Sequence, residues 1–132
     1  MRTHRKLGLT RGVLLALFLL STIDAAFAAD YRPLIGRWQR TDGGYVIEIR
    51  RVATDGAMQA AYFNPRPINV SWAKASEFKD HLKVEVELRD TGYPGSSYTL
   101  LYDPEKDALL GFYYQAVQKQ NFDVIFVRMN QQ

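Results

Sequence analysis

The stretch that decides the fold is Leu82-Lys83-Val84-Glu85-Val86-Glu87-Leu88, in which apolar and charged residues alternate without interruption. A period of two is typical of a β-strand with one face in the core and the other in solvent. We therefore expect the apolar residues of this stretch to face inward. Residues 45–50 and 68–72 repeat the pattern, and the second stretch would place Ile68, Val70 and Trp72 together on one face.

Between such stretches lie residues that favour turns. Asp42-Gly43-Gly44 and Asp55-Gly56 tolerate positive φ and are typical of hairpins. Asn64-Pro65-Arg66-Pro67 interrupts a strand, because proline has no N–H to donate to a neighbouring strand. No segment has a convincing helical period, and only residues 74–79 leave room for a short helical turn. The turns divide the chain into eight predicted strands, at residues 35–41, 45–52, 57–63, 68–75, 82–89, 97–102, 108–116 and 121–128.

This order of elements predicts an all-β fold. Eight strands joined in sequence by short turns are typical of an eight-stranded antiparallel up-and-down β-barrel, in which closure removes the exposed strand edges. A two-sheet sandwich is the alternative, although its crossovers need longer connections than these turns provide.

Residues 1–28 have the three parts of a cleavable signal peptide. The segment begins with basic residues, continues as an apolar run from Val13 to Leu20, and ends in Ala26-Phe27-Ala28, which fits an A-x-A peptidase site. The run is shorter than the roughly 18 apolar residues that span a bilayer as a helix. We therefore predict cleavage after Ala28, a single barrel domain at residues 29–132, and a mature protein that is not integral to a membrane. A bacterial periplasm is the favoured location, and release outside the cell is the alternative.

Charge and cysteine content narrow the classes of partner. Four of the 17 Lys and Arg residues and one of the 14 Asp and Glu residues lie in the predicted signal, so the mature chain would be electrically neutral. The basic pI of the whole chain therefore gives no reason to expect a nucleic-acid partner. The chain has no cysteine, so no disulfide can stabilise it and the core must do so alone.

One pair of motifs links the two ends of the predicted barrel. Gly36-Arg37-Trp38 opens the first strand and Arg128 ends the last. In these motifs the chain resembles the lipocalin and wider calycin group of eight-stranded barrels. The resemblance implies that the guanidinium of Arg128 stacks on the indole of Trp38 and that the pair plugs the closed end of the barrel. The residues alone are equally compatible with a core tryptophan and a surface arginine.

The resemblance has departures. The chain is shorter than typical lipocalins, and we find no C-terminal helix. Its size is nearer to that of avidin-like barrels and of the small periplasmic metalloprotease inhibitors. Those inhibitors usually carry a disulfide, which the absence of cysteine excludes here.

Aromatic residues indicate where such a barrel would bind a ligand. All eight tyrosines lie after the predicted signal, and tyrosine suits a pocket because it offers an apolar ring and one hydroxyl. A barrel of this size is just wide enough either to be filled by its side chains or to hold one small ligand. The alternative is that the rings simply fill the core. The candidate ligand-binding residues lie on the expected inner wall and on the loop from Arg89 to Ser97 at its mouth: Tyr98, Tyr102, Phe112, Tyr114, Arg89 and Tyr93.

No residue pattern indicates catalysis. His81 is the one histidine after the predicted signal, and the chain has neither a thiol nor a Gly-x-Ser-x-Gly motif nor a set of zinc ligands. We therefore expect no catalytic residues, no metal and no cofactor. The favoured function is an exported carrier or sensor that binds a small hydrophobic or aromatic molecule. The alternative is an envelope protein-interaction module, such as a periplasmic protease inhibitor, and an enzyme on a calycin scaffold is the least favoured.

Overall fold

The computed structural model describes Gly8 and residues 28–130. Apart from Gly8 and Ala28, the predicted signal at residues 1–28 lies outside the described residues. Within residues 28–130, a short 3-10 turn at Arg32–Leu34 is followed by nine antiparallel strands. They are β1 (Gly36–Arg40), β2 (Val46–Val52), β3 (Met58–Asn64), β4 (Arg66–Ile68), β5 (Val70–Phe78), β6 (His81–Asp90), β7 (Tyr93–Asp103), β8 (Ala108–Gln115) and β9 (Gln120–Arg128).

The strands form one sheet that curls into a nearly closed up-and-down barrel. Their order is β4-β3-β2-β1-β9-β8-β7-β6-β5, so the two edge strands, β4 and β5, are consecutive in the chain. We call the junction between these two edges the seam of the barrel. The seam is narrowed where the Ala75 N–H on β5 donates to the carbonyl of Gly56, which precedes β3, at 2.8 Å. Gly56 has a φ of +88°, and a Cβ there would lie 2.0 Å from the Ala75 carbonyl oxygen. Only glycine allows this approach. The prediction of an all-β antiparallel up-and-down barrel is confirmed.

The predicted count of eight strands is wrong, and the ninth strand arises at the proline-rich segment. There the chain turns back on β3, so that Pro67 of β4 lies opposite Phe63. The proline is tolerated because β4 is an edge strand. After β4 the chain stops pairing with β3 and begins to pair with β6. At this point the Arg89 N–H on β6 donates to the Asn69 carbonyl at 2.9 Å. The predicted strand 68–75 therefore contains the end of β4 and the start of β5.

A bulge reverses the side-chain alternation of β5. The pairing of β5 with β6 shifts by one residue between Val70 and Trp72, which leaves Ser71 as the extra residue. Trp72 therefore faces outward and is 46% exposed. The expectation that it points the same way as Ile68 and Val70 is wrong, because one inserted residue moves every following side chain to the other face. β5 continues to Phe78, so the chain after residue 74 is strand rather than a helical turn.

The core lies inside the barrel. Val84, Val86 and Leu88 are buried, which confirms the alternation predicted for residues 82–88. The largest fully buried side chains come from the 3-10 turn and from strands all around the barrel: Trp38, Tyr62, Tyr98, Phe126, Leu34, Ile47, Ile49, Leu88, Leu100, Leu109, Val84 and Val86. These buried side chains pack together as one core in the barrel interior.

The two ends of the barrel differ. At one end, the 3-10 turn covers the interior and its Leu34 is fully buried; we call this the closed end. At the other end the β1–β2, β3–β4, β6–β7 and β8–β9 turns form the rim; we call this the open end. Among residues 28–130, no helix has the length and apolar character needed to cross a membrane.

Candidate ligand-binding site at the open end

A cleft of about 320 Å³ lies inside the rim of the open end. Its lining side chains are far apart in sequence but all come from strand ends or turns at this rim, because successive antiparallel strands run in opposite directions. The lining residues are Arg40, Tyr45, Tyr62, Asn64, Gly92, Tyr93, Tyr113 and Gln115.

Arg40 forms one side of the cleft floor. It lies two residues after Trp38 on β1 and therefore shares the inner face, where its side chain is only 9% exposed. Its Nε and Nη2 donate to the two carboxylate oxygens of Asp42 at 2.8 and 2.7 Å, and its Nη1 donates to the Tyr98 hydroxyl at 3.1 Å. Burial alone would lower the pKa of Arg40, but the bonds to Asp42 and Tyr98 outweigh it and raise that pKa. The guanidinium also lies 4.2 Å from the centre of the Tyr45 ring.

Two fully buried phenols lie at the bottom of the cleft: Tyr62 lines it and Tyr98 lies beneath Tyr62. The hydroxyls of Tyr62 and Tyr98 are 2.8 Å apart, and the Tyr98 ring also stacks on that of Tyr113 with the ring centres 4.7 Å apart. Burial raises the pKa of Tyr98 to about 12, although the bonds with Tyr62 and Arg40 oppose the shift. Burial and the neighbouring Tyr98 raise the pKa of Tyr62 still further. Both groups are therefore neutral phenols at physiological pH.

On the wall above the floor, a side-chain contact connects the β3–β4 turn with the β6–β7 turn. The Asn64 side-chain amide on β3 donates to the Tyr93 hydroxyl at the start of β7. The Tyr93 ring meets the Tyr62 ring edge-on, with the centres 6.3 Å apart. This contact brings the proline-rich segment and the Arg89 to Ser97 region to the same end of the barrel. The expected long loop is short, because β6 reaches Asp90 and β7 begins at Tyr93, which leaves only Thr91 and Gly92 as the turn.

The structure brings together some of the predicted site residues and separates others. Tyr93 lines the cleft, and Tyr98 lies beneath it, where its hydroxyl contacts that of Tyr62. Arg89 lies on the outer face, where it pairs with Glu87 at 2.8 Å. Tyr102 lies at the closed end, edge-on to Trp38 with the ring centres 6.1 Å apart.

Phe112 and Tyr114 do not face the interior. On β8, Leu109 and Tyr113 are buried on the inner face, so Phe112 and Tyr114 on either side of Tyr113 point outward, and Phe112 is 45% exposed. Residues 109–115 carry apolar or aromatic side chains on both faces, and for that reason periodicity could not separate the faces. Arg40, Tyr45, Tyr62 and Tyr113 were missed. The available signal for Arg40 was its shared face with Trp38, since a charged residue on an inner face needs a partner.

The closed end contains the predicted contact between Trp38 and Arg128. The guanidinium carbon of Arg128 lies 4.2 Å from the centre of the Trp38 ring. Arg128 also donates to Asp107 at 2.8 and 3.0 Å, and to the carbonyls of Ile35 at 2.7 Å and Pro33 at 2.5 Å. These bonds hold the 3-10 turn over the interior and lower the pKa of Asp107. This end is therefore sealed by satisfied polar groups.

A larger groove of about 980 Å³ runs outside the barrel near the ends of β1 and β9. The side chains of Arg37 and Arg50 in this groove are more than half exposed and each pairs with Glu48. The open-end cleft differs because its arginine is buried. In water-excluded surroundings a polar group orients a guest more strongly than in solvent, so we take the smaller cleft as the candidate site.

The arrangement at the open end suits binding. Aromatic rings provide apolar contact area, while Arg40, Asn64 and Gln115 provide polar atoms that fix orientation. Within residues 28–130, no three His, Cys, Asp or Glu side chains are grouped as a metal site would require. Comparison of the chain with protein-family models, with curated proteins and with solved structures finds no match.

Proposed function

We propose that the protein binds one small aromatic molecule in the open-end cleft and acts as an exported carrier or sensor without catalysis. The observation that carries the proposal is the concentration of tyrosine rings around the buried Arg40 at the one open end of a filled barrel. A volume of about 320 Å³ is at the lower end of the range of roughly 300–1,000 Å³ for small-molecule sites.

A calycin-like relationship is part of the proposal. The stack of Arg128 on Trp38 supports it, since this contact closes one end and leaves the other available for a ligand. The binding position differs from that expected from the sequence. The guest would lie at the rim, above Tyr62 and Tyr98, and would not lie among Tyr102, Phe112 and Tyr114.

The test compares two adjacent tyrosines. Tyr113 lines the cleft and Tyr114 lies on the outer face of the same strand. We expect 2-naphthylmethanol or 2-naphthoate, followed by fluorescence anisotropy, to bind saturably to the protein. Tyr113→Ala should weaken the binding by about tenfold or more, because a stacking ring is lost, and Tyr114→Ala should leave it unchanged. If neither probe bound below about 1 mM, or if the two variants behaved alike, the proposal would be wrong.

A protein-interaction module is the second candidate function. It is favoured by large apolar side chains on the outer face of β8 and β9, where Phe112, Ile125 and Val127 are 43–45% exposed. Contiguous apolar surface of this kind marks interaction sites. A photoreactive residue at position 112 should then crosslink one defined envelope protein in cells, and the same residue at position 50 should not. Equal labelling at both positions would contradict this function.

A further inference from the structure

We infer that the open-end cleft selects aromatic molecules that carry a hydrogen-bond acceptor, with an aromatic carboxylate as the preferred class. This inference rests on the proposed function and names the chemistry of the guest. Its basis is the direction in which the buried hydrogen bonds of the floor run.

The two phenols at the bottom of the cleft have one hydroxyl proton more than their mutual hydrogen bond requires. Tyr62 and Tyr98 have two hydroxyl protons but share a single contact, at 2.8 Å. Tyr98 already accepts a bond from Arg40. Either hydroxyl can donate in the contact between them. Donation from Tyr98 to Tyr62 is preferred, because Tyr98 is fully buried and does not line the cleft, so its proton would otherwise lack an acceptor. The chain from Arg40 through Tyr98 then ends in the Tyr62 hydroxyl proton. Tyr62 is 1% exposed, and of the two phenols it is the one that lines the cleft. The free proton is consequently presented to a guest.

Two further side chains on the wall are left as donors. The Tyr93 hydroxyl accepts a bond from the Asn64 amide, so its own proton is free. The side-chain oxygen of Gln115 accepts a bond from the backbone N–H of Gln118 at 2.6 Å. The side-chain NH₂ group of Gln115 therefore remains available as a donor. A guest that meets these groups gains most when it supplies acceptor atoms, because a buried donor without a partner is costly.

The charges around the floor favour a negative guest. The side chain of Arg40 is 9% exposed, whereas that of its partner Asp42 is 56% exposed. Water screens the exposed carboxylate more than the buried guanidinium. Although the net charge of the pair is zero, the electrostatic potential inside the cleft is therefore positive. The rings of Tyr45 and Tyr113 have their centres 4.2 and 5.8 Å from the Arg40 guanidinium carbon, so aromatic surface adjoins the positive charge and an aromatic anion can contact both.

The experiment compares two probes of the same shape. At pH 7, 2-naphthoate carries a carboxylate acceptor, and 2-naphthylmethanol carries a neutral hydroxyl on the same ring system. We expect the protein to bind the carboxylate about tenfold more tightly in anisotropy titrations. Equal affinities, or tighter binding of the alcohol, would overturn the inference while the proposed function survived. Binding of neither probe would instead remove the proposed function.

Removal of single hydroxyls identifies the side chains that produce the preference for the carboxylate. Tyr62→Phe keeps the ring and removes the donor, so the affinity for the carboxylate should fall more than that for the alcohol, and the preference should drop below about threefold. Tyr93→Phe should reduce the preference in the same direction. Tyr31→Phe removes a hydroxyl outside the cleft and should change neither affinity. A preference that survived in both Tyr62→Phe and Tyr93→Phe, each with an unchanged circular dichroism spectrum, would contradict the assignment.

Discussion

The guanidinium of Arg40 on β1 and the hydroxyl of Tyr98 on β7 are joined by a 3.1 Å hydrogen bond that crosses the barrel interior. These strands are not neighbours in the sheet, since β9 and β8 lie between them. The bond therefore connects opposite walls directly below the candidate site. Residues that form the floor of the cleft also stabilise the fold, and variants there must be judged by both stability and binding.

Loss of Arg40 should be costly, whereas loss of a surface arginine on the same strand should not. We expect Arg40→Ala to lower the free energy of unfolding by about 1–3 kcal/mol, because the buried Tyr98 hydroxyl loses a donor. Urea denaturation measures the change. Arg37→Ala is the control, since Arg37 is 51% exposed in its pair with Glu48, and it should change stability by less than about 0.5 kcal/mol. Equal effects of the two variants would argue against a structural role for the Arg40 network.

The seal at the closed end should behave as a coupled unit. Arg128→Ala should destabilise the protein by about 1–3 kcal/mol, because the Trp38 ring and the carbonyls of Pro33 and Ile35 lose their partner. A double-mutant cycle with Trp38→Phe should give a coupling energy of at least about 0.5 kcal/mol. A coupling energy of zero would mean that the stack contributes nothing to the fold.

Two glycines with positive φ should respond differently to alanine. Gly56 and Gly92 have φ values of +88° and +81°, but a Cβ at Gly92 would meet nothing within 4 Å. Gly92→Ala should therefore cost only the backbone strain of about 1–2 kcal/mol. Gly56→Ala adds a clash with the Ala75 backbone and should exceed that cost by at least about 1 kcal/mol. Similar midpoints for the two variants in urea would show that the seam is loose at Gly56.

Stability should fall at high pH because the buried phenols of Tyr98 and Tyr62 both have raised pKa values, and Tyr98 serves as the example. Its pKa in the folded protein is raised to about 12, above the value near 10 of an unfolded tyrosine. A raised pKa gives stability that is fully present below pH 10 and is lost as the pH rises towards 12. Denaturation across this interval should show the decline, and Tyr98→Phe should reduce its slope. Appearance of all phenolate absorbance in one step near pH 10, with the protein still folded, would contradict the expectation.

Export predicts a defined N-terminus. If residues 1–28 are a signal peptide, protein recovered from the periplasm should begin at Ala29 or Asp30. Edman degradation or intact mass measurement decides the point. An Ala28→Arg variant should block or shift the cleavage, because the peptidase requires a small residue there. Recovered protein that still began at Met1 would exclude processing.

Parts of the fold followed from local pattern alone. The alternation of residues 82–88 predicts a half-buried strand, and the structure buries Val84, Val86 and Leu88. Strand pairing within hairpins also follows from the turns. The Trp38–Arg128 contact came from a resemblance, since residues so far apart in sequence leave no local signal of their proximity.

The failures have physical causes. The bulge at Ser71 inserts one residue into β5, and nothing in the composition of that stretch marks it. β8 is apolar on both faces, so its orientation depends on register with β7, where Tyr98 lies opposite Tyr113. That register is a tertiary property. The candidate site was misplaced for the same reason, because a one-residue error in register exchanges Tyr113 for Tyr114.

The position of the seam has a consequence for the connectivity of the chain. The β1–β9 pairing is the one pairing within residues 28–130 that joins strands distant in sequence, and a Cβ on Gly36 would lie 2.6 Å from the Arg128 guanidinium. A circularly permuted chain, linked near these residues and opened at Asn69, would begin with β5 and end with β4. Every strand would then pair with the strand next to it in sequence. Since such local topology speeds folding, the permutant should fold faster than the natural order while forming the same barrel.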